Sequence, residues 1–316
     1  MSIGIPNRKP VILVTGADLA AQALSLLNSF EIVYAGKTPD EEHLASLCTQ
    51  HQPVAIIVRY GKITARIIDV CSGLLVISKH GTGIDTIDIS YAKSKGIAVV
   101  AAAGANAPAV AEHTWALIFA CAKNVVGLDQ RMHAGHWDKA THKSLELKGR
   151  TLGLVGLGAI GLRVAEVGLA LGMHVIAHDP YARQVPEGIA KTELTELLAT
   201  ADVLSLHCPL TAENKQMINR DSLAAMRDGA IIVNTARGGL IDEEALLESL
   251  QSGKIRAAGL DSFQIEPFVG PHHFENVPNV ILSPHIGGVT ADAYIGMGIA
   301  SAQNVLNALA TENAVA

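Results

Sequence analysis

The 316-residue sequence predicts an α/β fold with two doubly wound parallel sheets, and three observations carry that prediction. Short apolar runs alternate with helical stretches along the chain, the pattern of parallel strands joined by crossover helices. One run, Leu152 to Val155, ends in Gly156-Leu157-Gly158-Ala159-Ile160-Gly161 and passes into helical apolar spacing that continues to Leu171. Polar clusters recur just after predicted strands, on the edge where open α/β sheets bind ligands.

Length and composition narrow the class. At ~100–200 residues per domain, the chain forms two domains with ample core. Apolar residues make up 49% and charged residues 17%, a globular composition. The net charge of −6, with no dense Lys/Arg block, excludes a nucleic-acid footprint. No apolar run reaches ~18 residues and Met1 to Pro10 lacks the apolar core of a leader, so neither membrane insertion nor secretion is expected. The four cysteines form no CxxC, which suits buried thiols in a reducing cytoplasm. His133, His136 and His142 lie in a polar connector without a fourth ligand, so no zinc site is expected.

In the first unit, Val11 to Thr15, Glu31 to Tyr34, Val54 to Val58 and Leu75 to Ser78 read as strands, with helices at Leu19 to Ser29, Asp40 to Gln50 and Ala65 to Cys71. The unit ends near Val100 and carries no phosphate-binding glycine fingerprint, which suits a substrate surface. Its functional loop is Lys79-His80-Gly81-Thr82-Gly83-Ile84-Asp85, where two glycines allow an anion-binding nest of backbone N–H groups. An ordinary strand-to-helix turn fits the same residues equally well. Arg59-Tyr60-Gly61-Lys62 follows the preceding strand onto the same edge; Lys62 reads as a solvated charge and Arg59 does not.

The next stretch, Gly104 to about Val125, predicts a helix capped by Asn106 with Pro108 in its first turn. It is apolar nearly all round and so expected to be buried, with Glu112 and His113 as a mutually satisfied polar pair. The glycine turn then predicts a dinucleotide site. Gly156 permits the tight turn, Gly158 admits a pyrophosphate to the backbone, and Gly161 lets the helix pack closely. The helix N-terminus faces the phosphates with unpaired N–H groups and the positive end of its dipole. Strand His174 to His178 ends in Asp179, 18 residues beyond Gly161, where a carboxylate binds the ribose hydroxyls.

Beyond it, strands at Val203 to Leu206, Ile231 to Asn234, Ala257 to Leu260 and Val280 to Leu282 each run into a polar cluster. Helices are expected at Leu194 to Ala199, Asp221 to Met226 and Glu243 to Gln251, the last capped by Asp242. Three cluster residues carry chemistry. His285 has the pKa range to exchange a hydroxyl proton, Arg237 the fork of donors to hold a carboxylate, and Glu266 the charge to fix the imidazole tautomer. Singly they read as a helix-entry group, a loop charge and a turn acid. On three loops of one nucleotide-binding sheet they read as the machinery of hydride transfer.

Together with Asp179-Pro180-Tyr181, His207-Cys208-Pro209-Leu210-Thr211, Asn234-Thr235-Ala236-Arg237-Gly238-Gly239, Glu266-Pro267 and Ser283-Pro284-His285-Ile286-Gly287-Gly288, these motifs resemble the D-isomer-specific 2-hydroxyacid dehydrogenase family, in its phosphoglycerate dehydrogenase-like branch. The resemblance runs from about Val54 to the C-terminus. It implies two Rossmann-like domains, the first discontinuous: 1–103 with 289–316 for substrate, and 104–288 for NAD. It implies that His285 is the acid–base with Glu266 as partner, and that Arg237 binds the carboxylate and carbonyl oxygen. The backbone of His80, Gly81, Thr82 and Gly83 would hold the substrate carboxylate, with Arg59 and Tyr60 beside it. Gly156, Gly158, Ala159, Ile160, Gly161, Asp179, His207, Cys208, Pro209, Thr235, Ala236, Asp261 and Gly287 would line NAD. A homodimer through the nucleotide domain is implied, and no regulatory domain is expected after Ala316. The expected substrate is a small D-2-hydroxy acid of phosphoglycerate or hydroxypyruvate/glyoxylate type. The alternatives are a non-catalytic NAD-sensing protein of the corepressor type and a formate- or phosphite-oxidising relative. Arg59-Tyr60-Gly61-Lys62 departs from the Arg-Ser-x-Thr of phosphoglycerate enzymes, so the departure falls on the substrate side.

Overall fold

Four strands of the chain are buried from end to end, and such continuously apolar, β-branched runs belong inside parallel sheets covered on both faces. In the computed structural model, which describes residues 9–313 (side chains through 311), they form the centres of two sheets. The reading of Met1 to Pro10 falls mostly outside the described residues.

By its contacts the chain divides into two compact units, one running to Asn106 and resuming at Val289, the other spanning Ala107–Gly288. The division falls just past the expected 103/104 boundary because Asn106 stays with the first unit: its Oδ1 accepts from the Thr82 hydroxyl at 3.0 Å.

The first unit holds β1 (Val11–Val14), β2 (Glu31–Tyr34), β3 (Ala55–Val58), β4 (Val76–Lys79) and β5 (Ala98–Ala101), all parallel, in the order β2-β1-β3-β4-β5. Helices Glu41–His51 and Ala65–Asp69 cover one face. The other is covered by Ala21–Leu26 and by the long helix Ala291–Asn313, which brings the chain back to this unit. Ser301 and Asn304 on that helix bond Ser78 and the Ala101 carbonyl. Strand order reverses between β1 and β3, whose C-terminal ends run into Asp18 and Arg59.

The second unit holds β6 (Thr151–Val155), β7 (His174–His178), β8 (Ile189–Lys191), β9 (Val203–Leu206), β10 (Ala230–Asn234), β11 (Ile255–Leu260) and β12 (Val280–Leu282). All are parallel, in the order β12-β11-β10-β9-β6-β7-β8. Helices Ala107–Lys123 and Ala159–Ala170 pack on one face, and Leu194–Thr200, Arg220–Ala225 and Glu243–Gln251 on the other. The switch point lies between β6 and β9, which places the glycine turn beside His207. Two doubly wound parallel sheets, the first from a discontinuous unit, are therefore as expected. Strand β8 and helices Ile89–Ser94 and Val125–His133 carry little apolar periodicity and were not anticipated. No helix among the described residues is long and apolar enough to cross a membrane.

Candidate active site

Two glycines of the nucleotide turn are required by the fold, and the third is not. Gly156 has φ 100°, and a β-carbon on it would lie 2.8 Å from the His207 carbonyl carbon. A β-carbon on Gly161 would collide with the Gly156 carbonyl oxygen, so its close approach is to its own turn. Gly158, the N-cap of Ala159–Ala170, is the informative one: a β-carbon there would meet nothing within 4 Å. Nothing inside the unit demands that glycine. The open approach at a helix N-terminus, with Ala159 and Ile160 as its first residues, fits a pyrophosphate. Asp179 sits beside it. Its Oδ2 accepts from Leu157 N–H at 2.8 Å and its Oδ1 from Tyr181 and Ala182 at 2.8 and 3.1 Å. Burial alone would raise this carboxyl, but the three N–H donors outweigh it and hold it below the usual range. These residues fit NAD.

The loop after β9 supplies the other wall. His207 Nε2 pairs with the Ser205 hydroxyl at 2.8 Å while its buried Nδ1 has no partner among the described residues, and burial drops its pKa to about 3. Burial likewise lifts the Cys208 thiol to about 11. Pro209 accepts from Asn214 Nδ2 at 2.7 Å, and Asn214 Oδ1 takes the Thr211 amide at 2.7 Å. After β10, Asn234 Oδ1 accepts from Ala236 N–H at 3.0 Å and its Nδ2 donates to the Arg237 carbonyl at 2.9 Å. Thr235 is buried against the Thr114 hydroxyl at 2.8 Å.

His285, Glu266 and Arg237 come together. His285 Nδ1 lies 2.7 Å from Glu266 Oε2, and Glu266 Oε1 accepts from Phe263 N–H at 2.9 Å. The Glu266 bond raises the His285 pKa above its ordinary value, outweighing burial and the opposing charge of Arg237. Burial works against ionising Glu266, yet bonds from His285 and Phe263 with the nearby charges of His285 and Arg237 lower its pKa. Half-buried Arg237 is anchored by Nη1 to the Ala236 carbonyl at 2.7 Å. With Nδ1 engaged, Nε2 is the imidazole nitrogen left to exchange a proton.

Asp261 works harder than sequence reasoning assigned. Buried at the end of β11, it accepts from Ile286 N–H at 2.9 Å, Gly287 N–H at 2.8 Å and the Ser283 hydroxyl at 2.6 Å. It thus hangs the His285 loop from the sheet. His113 bonds the Ser283 hydroxyl at 2.9 Å and lies 3.4 Å from Asp261. Glu112 points to solvent, so the two are not the mutual pair expected: adjacent positions on a helix face different ways.

In the first unit, Arg59, Tyr60 and the His80 loop lie at the switch-point edge. Arg59 Nη1 donates to the Asp18 carbonyl at 2.6 Å and to its carboxylate, and its guanidinium sits 5.0 Å from the Tyr294 ring and 5.4 Å from that of Tyr60. The Tyr294 hydroxyl donates to Asp18 at 2.9 Å, and this bond, with Arg59, lowers the Asp18 pKa. His80 is buried and neutral, its pKa pulled to about 4 by burial and by Arg59. The His80 and Gly81 amides donate to Val58 and Lys79 carbonyls, both at 3.0 Å, so an anion nest in this loop rests on Thr82 and Gly83. Asp18 was legible by the strand-end rule, since it follows β1; Tyr294 had no local signal. Among the described residues no group of three or more His, Cys, Asp or Glu is placed to hold a metal ion.

Three comparisons bear on this arrangement. Residues 115–287 match the family model described as "D-isomer specific 2-hydroxyacid dehydrogenase, NAD binding domain". A hydroxypyruvate reductase of Thermotoga maritima is 40% identical over 90% of this chain and 93% of its own length. A D-3-phosphoglycerate dehydrogenase of Archaeoglobus fulgidus is 37% identical over 80% of this chain, which spans 49% of that longer protein. Among solved structures, a glyoxylate reductase from Paecilomyes thermophila superposes with a TM-score of 0.86 at 31% identity, covering 96% of each chain. With the glycine turn, the strand-end carboxylate and the His285–Glu266 pair already in place, the chain belongs to the D-isomer-specific 2-hydroxyacid dehydrogenase family.

Proposed function

We propose that this NAD-dependent oxidoreductase interconverts a small D-2-hydroxy acid and its 2-keto acid, with His285 as acid–base, Glu266 as its partner and Arg237 as the carboxylate and carbonyl ligand. The observation that carries the reading is the 2.7 Å bond from His285 Nδ1–H to Glu266, beside Arg237. In oxidation, neutral His285 takes the hydroxyl proton at Nε2 as the C2–H bond breaks with its electron pair. In reduction, the imidazolium returns that proton to the carbonyl oxygen while Arg237 stabilises the charge growing on it. Bound NAD supplies the hydride acceptor, or as NADH the donor. Gly156, Gly158, Ala159, Ile160 and Gly161 would hold its pyrophosphate and Asp179 its ribose, while His207 to Pro209, Thr235, Ala236, Asp261 and Gly287 line the site. Thr82 and Gly83 would take the substrate carboxylate, and Arg59 and Tyr60 its distal end; the His80 and Gly81 amides are engaged within the unit. The substrate class is of hydroxypyruvate, glyoxylate or phosphoglycerate type, the protein works in the cytoplasm, and it is a homodimer.

The test is NADH oxidation with hydroxypyruvate, glyoxylate, pyruvate and 3-phosphohydroxypyruvate, in wild type and His285→Asn. Turnover of at least one keto acid is expected, reduced on the order of a hundredfold or more in the variant. Turnover independent of His285 overturns the roles of all three residues. The relatives above are named as reductases and dehydrogenases of hydroxy acids, which disfavours both an NAD-sensing corepressor and formate or phosphite oxidation.

A further inference from the structure

We propose that Glu243, oriented by His273, is a positioning residue for the acid–base pair: it anchors the amide next to the one that Glu266 bonds, in the same turn. The inference rests on the reading of His285 and Glu266 above.

Two carboxylates divide one turn between them. Phe263 N–H donates to Glu266 Oε1 at 2.9 Å, and the next amide, Gln264 N–H, donates to Glu243 Oε1 at 2.7 Å. The Gln264 N–H and the Phe263 N–H lie in adjoining peptide planes that meet at the Phe263 Cα, so anchoring the Gln264 amide leaves only the φ and ψ of Phe263 to aim Phe263 N–H. Phe263 N–H in turn engages one oxygen of Glu266 and leaves Oε2 for His285 Nδ1. The order of constraint is Glu243, Gln264, Phe263, Glu266, His285.

The far end of this relay is buried and bonded on both oxygens. Glu243 opens helix Glu243–Gln251 and is buried, its other oxygen 3.2 Å from His273 Nε2. Burial raises its pKa, against the bonds from Gln264 and His273. A buried carboxylate is costly unless its oxygens are engaged, and these are. The Gln264 side chain adds a clamp, its Nε2 donating to the Ile241 carbonyl at 2.7 Å. A β-carbon on Gly238 would collide with the Phe263 backbone, so the turn carrying Arg237 abuts the same peptide. Phe263 also stacks on Phe268 at 4.3 Å between ring centroids, closing the segment that contains Glu266.

Sequence reasoning gave Glu243 no role beyond the first turn of a helix, where an acid suits the dipole. A dipole partner needs neither burial nor a bond to an amide 21 residues away, and this residue has both.

The test measures the imidazole pKa of His285 by NMR of the full-length, 13C-histidine-labelled protein, with His285→Asn for assignment, alongside NADH-dependent reduction of glyoxylate and hydroxypyruvate. Glu243→Gln keeps an oxygen for Gln264 N–H and retains the wild-type pKa and kcat. Glu243→Asp keeps the charge but retracts it by one methylene; Glu243→Ala removes it. Both lower the His285 pKa toward its ordinary value and reduce kcat on the order of tenfold, with KM for NADH unchanged. If Glu243→Ala does not fold, Glu243→Asp carries the test alone. A wild-type His285 pKa in every folded Asp or Ala variant overturns the proposal, as does a Gln variant shifted as far as Asp. Undiminished turnover in His285→Asn overturns instead the reading beneath it.

Discussion

His285 adopts φ 55°, a left-handed conformation that suits glycine and costs a histidine roughly 1 kcal/mol. The loop accepts that cost because the conformation aims Nδ1 at Glu266, and the resulting bond sets the pH response. The bond favours imidazolium, so the pKa is raised; reduction, which needs imidazolium, holds at low pH and falls as pH climbs through that raised value. Oxidation needs the neutral ring and rises through the same range. Glu266→Gln removes the charge that raises the pKa, so both limbs move to lower pH, toward ~6.5, with kcat reduced about a hundredfold. A limb that stays in place in pH–rate profiles would assign the titration to another group. Asp179 is the second decisive residue. It stays ionised, and a 2′-phosphate beside it would set two anions together. Asp179→Ser is expected to raise kcat/KM for NADPH relative to NADH by about tenfold, while losing roughly 1–2 kcal/mol of stability from its three amide bonds. Equal use of both cofactors by wild type would remove the discriminating role from Asp179.

The loops carry the site, and polar side chains hold each in shape: buried Asn234 and Asp261 from strand ends, half-buried Asn214 from within its loop. Asn234 shapes the Arg237 turn, Asn214 the loop after β9, and Asp261 the His285 loop. Asp261→Ala would leave the Ile286 and Gly287 amides and the Ser283 hydroxyl without their acceptor, costing about 3 kcal/mol and at least tenfold in kcat. Thermal unfolding with steady-state rates checks this, and an unchanged kcat would mean the loop holds without its anchor. These tethers mark the boundary of what the sequence made legible. The central strands, the glycine turn and the trio Arg237, Glu266 and His285 follow from local pattern: apolar runs, then polar residues at strand ends. The partners of Asp261 and Glu243 lie 25 and 21 residues away and meet only because parallel strands bring successive ends to one edge. Tyr294, 276 residues from Asp18, had no local signal at all. The left-handed φ of His285 was equally hidden, since only glycine advertises that conformation.

At the scale of the molecule, one surface of the second unit is not accounted for by its own core. Phe119 and Val167 are exposed on helices Ala107–Lys123 and Ala159–Ala170 and, with Trp115, line a groove of about 580 Å³; Leu162 is exposed on the second of these helices. The adjoining helix Val125–His133 buries none of its residues, yet Val125, Val126 and Met132 are apolar, and Trp137 follows at 75% exposure. A nine-residue helix without a buried face is marginal in water, because helices this short draw their stability from packing. A second copy applied to this surface would supply that packing, and an isologous pair matches the surface to itself without leaving an unpartnered patch. That need supports the proposed homodimer. Light scattering after size exclusion should give twice the chain mass for wild type. Phe119→Asp with Trp137→Ser, which places a charge in the groove and removes the exposed indole, should give monomers with less helical signal. A wild-type monomer at micromolar concentration would show that the helix is held by the unit alone, and the dimer would be lost while the chemistry of His285 stood.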